Sequence, residues 1–303
     1  MNSKPRTQNY ESTVAIIGAG RLGTALGLAL NKIGYEITAV VSKRVGHAKE
    51  SAKLIGSTVQ PLSSKQLSQL PVSDIVFIAT PDGDIEKVAN ELALKFSTSD
   101  EPEYIFHTSG ALSSEVLRVL RNGKIAVGSF HPLISVSDSV IGAESLGKAY
   151  YCIEGDNKAV KLGKKIAGDL GGESFSIKTK DKAFYHASAV VACGHLVALF
   201  DIAVEMLRDC GLNSDEARKA LLPLVESTVE NLYVSEPAKA LTGTFARADV
   251  ITVRKHLEVF ERKKLDAALA AYILLGKHSL ELARQNGKDE KALKEIEKLL
   301  SGK

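Results

Sequence analysis

The chain has 303 residues, 45% hydrophobic and 25% charged, a length that suits two domains and a composition that supports a sizeable core and speaks against general disorder. A net charge of +3, spread along the sequence apart from a cluster in the C-terminal tail, gives no support to nucleic-acid or membrane-surface binding as the main task. The three cysteines, Cys152, Cys193 and Cys210, lie far apart without a C-x-x-C pair, which argues against a disulfide framework or a metal site and fits a reducing cytoplasm.

Residues 1–12 are polar and read as a disordered lead-in, with no apolar stretch of the kind a secretory signal has. From 13 to 178, short β-branched runs alternate with helical patterns, as in α/β domains with parallel sheets. VAIIG (14–18) is a strand, Arg21–Ile33 a helix stopped by Gly34, EITAVVS (36–42) a second strand, and a helix follows near 47–55. DIVFIAT (74–80) is apolar throughout, as expected of a strand covered on both faces. YIFHTS (104–109), KIAVGSF (124–130) and KAYYCIE (148–154) continue the series, and a helix through 157–170 with GESFSI (172–177) completes it.

Residues 179–303 read as an all-helical domain. Asp181 is placed to cap one long helix running to about Cys210, with Gly211 as its stop. Within it, residues 183–204 approach transmembrane length, but His186, Ser188, His195 and Asp201 interrupt them, so a helix buried between neighbours or in a subunit interface is expected. Helices follow at about 214–233, 247–262 and 264–285, and KDEKALKEIEKLL is a charged amphipathic helix or a frayed tail.

Gly18-Ala19-Gly20-Arg21-Leu22-Gly23 is G-x-G-x-x-G set between the first strand and the first helix, the context in which this pattern binds a dinucleotide. Gly18 permits the tight turn, Gly20 lets the backbone approach the pyrophosphate, and Gly23 allows close helix–sheet packing. The second strand ends Val41-Ser42-Lys43-Arg44 without the carboxylate that NAD sites place there. A serine and two cations suit the 2′-phosphate of NADP, so NADP(H) is favoured over NAD(H); solvated loop charges are the alternative. Thr80 and Pro81 end the apolar strand where cofactor ribose is contacted in such sheets, or simply turn the chain.

His107 and Ser109 follow the YIF strand, and Ser109 opens the helix SSEVLRVL, where hydroxyls and amides hold a carboxylate or merely cap the helix. His131 ends the next strand and either points into the cleft or serves the turn. Lys182 and His186, four apart, share one helix face, with Tyr185 and Ser188 within a turn. A lysine beside a bound nicotinamide can donate a proton to a carbonyl oxygen, while a first-turn surface cation and satisfied buried histidines at 186 and 195 are the alternatives. Arg247 either binds a substrate acid group or pairs with Asp249.

Together, GAGRLG, HTSGALSSEVL, GSFHPL, YHASAVVACGHLVAL and LTGTFARAD resemble the Rossmann-like oxidoreductases whose C-terminal half is a domain of unknown function, relatives of 6-phosphogluconate dehydrogenase, pyrroline-5-carboxylate reductase and ketopantoate reductase. The resemblance implies an α/β Rossmann-like doubly wound sheet followed by an all-α 6-phosphogluconate-dehydrogenase-like C-terminal domain that builds a homodimer through its helices. Lys182 matches a lysine of the hydroxyacid-dehydrogenase and ketopantoate-reductase relatives, but His186 stands where they carry asparagine. Thr244 and Ala248 stand where the family tends to have proline and glycine. The activity implied is NADPH-dependent reduction of a small 2-oxo acid such as ketopantoate, with Lys182 as proton donor and His186 assisting. His107, Ser109, His131 or Arg247 would bind the substrate. Imine reduction and a non-catalytic dinucleotide-binding regulatory role remain as alternatives.

Overall fold

A computed structural model describes residues 12–97 and 101–302; the expected lead-in, apart from Ser12, lies outside the described residues. The chain divides after Val190 into two compact units. The first unit therefore runs past the 178/179 boundary expected from the change in pattern, because the start of the next helix packs into it.

The first unit opens with β1 (Thr13–Ile17), α1 (Arg21–Lys32), β2 (Glu36–Ser42), α2 (Val45–Ile55), β3 (Gln60–Ser63), β4 (Ile75–Ile78) and α3 (Asp82–Phe96). It continues through β5 (Tyr104–His107), β6 (Ala126–Pro132), α4 (Ser139–Leu146), β7 (Tyr150–Gly155), α5 (Asn157–Asp169), β8 (Glu173–Phe175) and all but the last two residues of α6 (Lys182–Ala192). The strands form one sheet in the order β3-β2-β1-β4-β5-β6-β7-β8, so the winding reverses between β1 and β4. One pair departs from the parallel sheet expected: β6 and β7 are antiparallel, with His131 opposite Cys152 and Ser129 opposite Glu154.

Period-two alternation splits the core between the two faces. Val14 and Ile16 of β1 join Leu26, Leu30, Ile55 and Ile166 on one side, while Ala15 and Ile17 join Ile85, Leu92 and Leu117 on the other. Phe77, Phe106, Phe130 and Tyr151, from β4 to β7, form a row across the sheet, stacked, edge-on and tilted in turn, with centroids 5.4, 6.1 and 4.8 Å apart. The helix expected over SSEVLRVL is a tight 3-10 helix, Ser114–Leu120, at whose start the buried Glu154 carboxylate accepts from both the backbone N–H and the hydroxyl of Ser114 at 2.7 and 2.9 Å.

The second unit holds α7 (Gly194–Asp209), α8 (Ser214–Val234), α9 (Pro237–Ala240), α10 (Gly243–Ala246), α11 (Val250–Lys263), α12 (Asp266–Gln285) and α13 (Glu290–Ser301). The single long helix expected from Asp181 to Cys210 is broken at Cys193, just before Gly194, and Thr179–Asp181 is a 3-10 turn rather than a cap. Asn213 caps α8 with a box closed by Glu216, and Asp289 caps α13, whose Leu293, Ile296 and Leu300 are buried against Val253, Leu257 and Leu280.

Residues 179–209 are long and apolar enough to cross a membrane, and none of their most apolar window is buried within the chain. The expectation that neighbouring helices of the same chain bury this segment is therefore not met. His195 is exposed on α7, not the satisfied core histidine expected.

Candidate functional site

The first turn of α1 begins at Gly20, whose side-chain-free position leaves the helix N–H groups without a side-chain cap. Gly18 sits at φ +123°, and a Cβ there would lie 2.4 Å from the Ala79 carbonyl oxygen. At Gly23 a Cβ would lie 1.9 Å from the Gly18 carbonyl oxygen, whereas at Gly20 it would meet nothing within 4 Å. Two glycines thus interlock β1, β4 and α1, and the third leaves its backbone open to a ligand.

A cleft of about 1150 Å³ opens along Gly18–Gly20 and is bounded by Ser42, Lys43, Arg44, Thr80 and Pro81. Arg21, Leu22 and Gly23 do not line it; they begin the helix behind it. Lys43 is engaged across the cleft by Asp84 at 2.8 Å, which leaves Arg44 as the cation at the end of β2. His47 of α2 and Lys65, from the 3-10 turn after β3, line the same cleft; both were missed in the sequence because nothing local ties them to the glycine turn.

At the carboxyl ends of β5 and β6 lies a second group of polar side chains, outside the lining of that cleft. His107 is 0% exposed and Lys182 1% exposed. Nζ of Lys182 and Nε2 of His107 are buried and have no hydrogen-bond partner among the described residues, as is true of Thr80 Oγ1 in the wall of the first cleft. His131 Nδ1 and the Tyr185 hydroxyl share a hydrogen bond of 2.7 Å, and the Lys182 ammonium stands 5.1 Å from the centre of the Tyr185 ring. Gly110 makes this packing possible: a Cβ there would lie 2.4 Å from His186 Cδ2 and 2.7 Å from His131 Nε2.

Lys182, His186, His107 and His131 are thus brought together, with Tyr185, Cys152 and Gly110 added by the fold. Ser109 is beside them, but its hydroxyl oxygen accepts from the Ala111 and Leu112 N–H groups at 3.2 and 3.0 Å and so closes the local turn. Tyr185 lay in plain view within a turn of Lys182; Cys152 and Glu154 carry no local signal, since β7 meets β6 only in the folded sheet.

The electrostatics follow from burial. Desolvation pushes the Lys182 amine below its usual range, against the opposing influence of Cys152 and Glu154. Burial, then the Lys182 charge, pushes His107 down to about 3, and burial, Lys182 and His186 do the same to His131. Both rings are neutral in the folded chain. Free histidine titrates near 6.5, so below that value the unfolded chain takes up protons that the folded chain refuses until about 3. Stability present above pH 6.5 is expected to fall as pH drops through this window, by up to about 1.4 kcal/mol per unit for His107 and less for the more exposed His131. The denaturant midpoint against pH measures it; a flat midpoint between these values would contradict neutral burial.

Arg247 belongs to the second unit. It is exposed, and Asp249 is engaged with the Thr252 N–H and hydroxyl at 3.0 and 2.7 Å rather than in an ion pair with it. Ala248, where the family tends to have glycine, sits at φ +53°. Ala248→Gly is expected to raise stability by about 1 kcal/mol by relieving a left-handed alanine, and an unchanged melting temperature would show that the position is not strained.

Two domain families match the chain: the Rossmann-like domain over residues 2–132 and the domain of unknown function DUF2520 over residues 149–279. No curated protein matches it. Among solved structures, a Thermotoga maritima protein is 24% identical with a TM-score of 0.72, over 91% of this chain and 100% of that one. A Bacteroides fragilis protein assigned as an NADP oxidoreductase is 23% identical with a TM-score of 0.68, over 89% and 98%. A pyrroline-5-carboxylate reductase from Coxiella burnetii is 14% identical with a TM-score of 0.58, over 90% and 98%. At these identities the likeness establishes the fold. The polar cluster draws on both matched stretches, His107 and His131 from the first and Cys152, Lys182, Tyr185 and His186 from the second.

Proposed function

We propose that this chain, which joins a Rossmann-like domain to a DUF2520 domain, is an NADP(H)-dependent oxidoreductase that reduces a small 2-oxo acid. The observation that carries this reading is the buried, unpartnered Lys182 amine beside two neutral imidazoles, one strand beyond the glycine-turn cleft. The cleft suits the cofactor. Open backbone at Gly20 and the uncapped N-terminus of α1 fit a pyrophosphate, Ser42 and Arg44 a 2′-phosphate, and Thr80 and Pro81 a ribose.

The chemistry drawn from reduced nicotinamide is hydride delivery to the carbonyl carbon. Lys182 Nζ holds the proton that the carbonyl oxygen then needs, and burial brings its acidity closer to the working pH. Tyr185, fixed through His131, orients the amine.

NADPH consumption against a panel of 2-oxo acids, ketopantoate included, and cyclic imines, with NADH in parallel, tests the reading. Turnover of an oxo acid with NADPH is expected; bound NADPH without turnover on any compound would favour a regulatory dinucleotide-binding protein. The likeness to pyrroline-5-carboxylate reductase favours a second reading, imine reduction, which activity on imines alone would select. Arg44→Ser is expected to weaken NADPH binding about tenfold or more, the loss of one charge-assisted contact, and to leave NADH unchanged. Lys43→Ala is expected to do far less, because Asp84 already holds that lysine. Equal losses in the two variants would remove Arg44 from the 2′-phosphate site.

The proposal includes a homodimer. Val197 at 68%, Leu224 at 64% and Val234 at 81% exposure leave apolar faces on α7 and α8 that a second copy would bury. A dimer by sedimentation is expected, and a monomer at micromolar concentration would refute it. Three unpaired cysteines support a cytoplasmic setting.

A further inference from the structure

We propose that His107 is a second ligand-contacting donor, locked in one neutral tautomer, whose Nε2–H takes a carboxylate or carbonyl oxygen of the bound molecule. It rests on the oxo-acid reading for the class of ligand, and on the Ser109 hydrogen bond together with burial for the tautomer.

His107 ends β5, in register with Ile78 of β4 and Ser129 of β6, and no part of it reaches solvent. The Ser109 backbone N–H donates to its Nδ1 at 3.2 Å. A backbone N–H can only donate, so Nδ1 presents a lone pair. Burial and the charge of Lys182 then keep the ring neutral, which leaves its one proton on Nε2. That N–H has no hydrogen-bond partner among the described residues. The Ser113 backbone lies near enough to favour the protonated ring but outside hydrogen-bond geometry.

Neighbouring oxygens already accept elsewhere. The Ser109 hydroxyl oxygen accepts from the Ala111 and Leu112 N–H groups, the Ser109 carbonyl from the Ser129 hydroxyl at 3.4 Å, the Ser113 carbonyl from the Val116 N–H at 3.1 Å, and both Glu154 oxygens from Ser114. A structural histidine in a core has both nitrogens satisfied, since a buried donor left alone costs about 1–3 kcal/mol. Lys182 Nζ, a second buried donor, likewise has no hydrogen-bond partner among the described residues. Two donors without an acceptor define the complement: a ligand rich in lone pairs, with a carboxylate next to a carbonyl. An iminium nitrogen itself has no lone pair for His107 and meets the charge of Lys182, so an imino acid would engage His107 through its carboxylate alone.

The test uses the full chain, labelled with ¹⁵N-histidine and saturated with NADP⁺, and oxalate as a non-reducible dianion. Long-range ¹H–¹⁵N spectra, with His107→Phe for assignment, are expected to show His107 as the Nε2–H tautomer well below the usual histidine pKa. Oxalate is expected to shift that proton and to bind about tenfold or more weakly to His107→Phe. An Nδ1–H tautomer, or ordinary titration near 6.5, would overturn the lock without touching the oxidoreductase reading, which the turnover panel judges separately. A locked tautomer with oxalate absent, or bound without moving the His107 signal, would overturn the ligand contact. The spectra of the unsubstituted chain decide the tautomer even if His107→Phe fails to fold.

Discussion

Lys182→Met is expected to lower turnover by about two to four orders of magnitude, the usual worth of a positioned proton donor, while leaving NADPH affinity unchanged. The same substitution is expected to raise the stability of the first unit by about 1–3 kcal/mol. An amine that is 1% exposed and makes no hydrogen bond is an uncompensated cost to the folded state, only partly offset by the Tyr185 ring, and methionine fills similar space without that cost. Opposite signs in activity and stability are the mark of a group kept for chemistry rather than for folding. Turnover and denaturant midpoint of the same sample decide it. Unchanged turnover removes the lysine from the mechanism, and a fall in stability reassigns it to the scaffold.

Gly23→Ala is expected to cost about 3 kcal/mol or more and to abolish cofactor binding. The added carbon would lie 1.9 Å from the Gly18 carbonyl oxygen and 3.2 Å from the Ala79 side chain, and backbone on one side of the contact cannot rotate away. Relief requires α1 to lift from the sheet, which moves the helix N-terminus off the cleft. Gly20→Ala is the informative contrast: open space surrounds that position, so stability is expected to fall by about 1 kcal/mol or less while NADPH binding weakens. Similar destabilisation by the two variants, in parallel melts, would show that the turn is not interlocked as described.

Much of the sheet was readable in the sequence because buried parallel strands are continuous apolar runs, and IVFI of β4 is buried at all four positions. β3 was not, since Gln60–Ser63 holds a proline and only Leu62 is buried. α3 repeats its buried residues at Ile85, Ala89 and Leu92, a helical spacing that was there to be read. α4 has almost no such pattern and is held chiefly by packing on α1, which no local signal announces. The reversed direction of β7 is equally silent, because a strand's residues do not encode its polarity.

The same distinction separates the two parts of the site. The glycine turn is one contiguous segment whose spacing carries its geometry. The polar cluster is assembled from β5, β6, β7 and α6, so Lys182 and His107 could be named as candidates but their shared burial could not. His131 and Tyr185 are 54 positions apart and meet only when the sheet is complete.

The break at Cys193 bears on how such a chain can be recombined with a relative's. A crossover near residue 180, where the strand pattern ends, would import a foreign α6 and with it a foreign partner for His131. A crossover at Cys193 would keep Lys182, Tyr185 and His186 with the sheet on which they pack and exchange only the remaining helices. The inheritable module of chemistry in this protein therefore ends at Ala192, fourteen residues into what the sequence presents as its helical half.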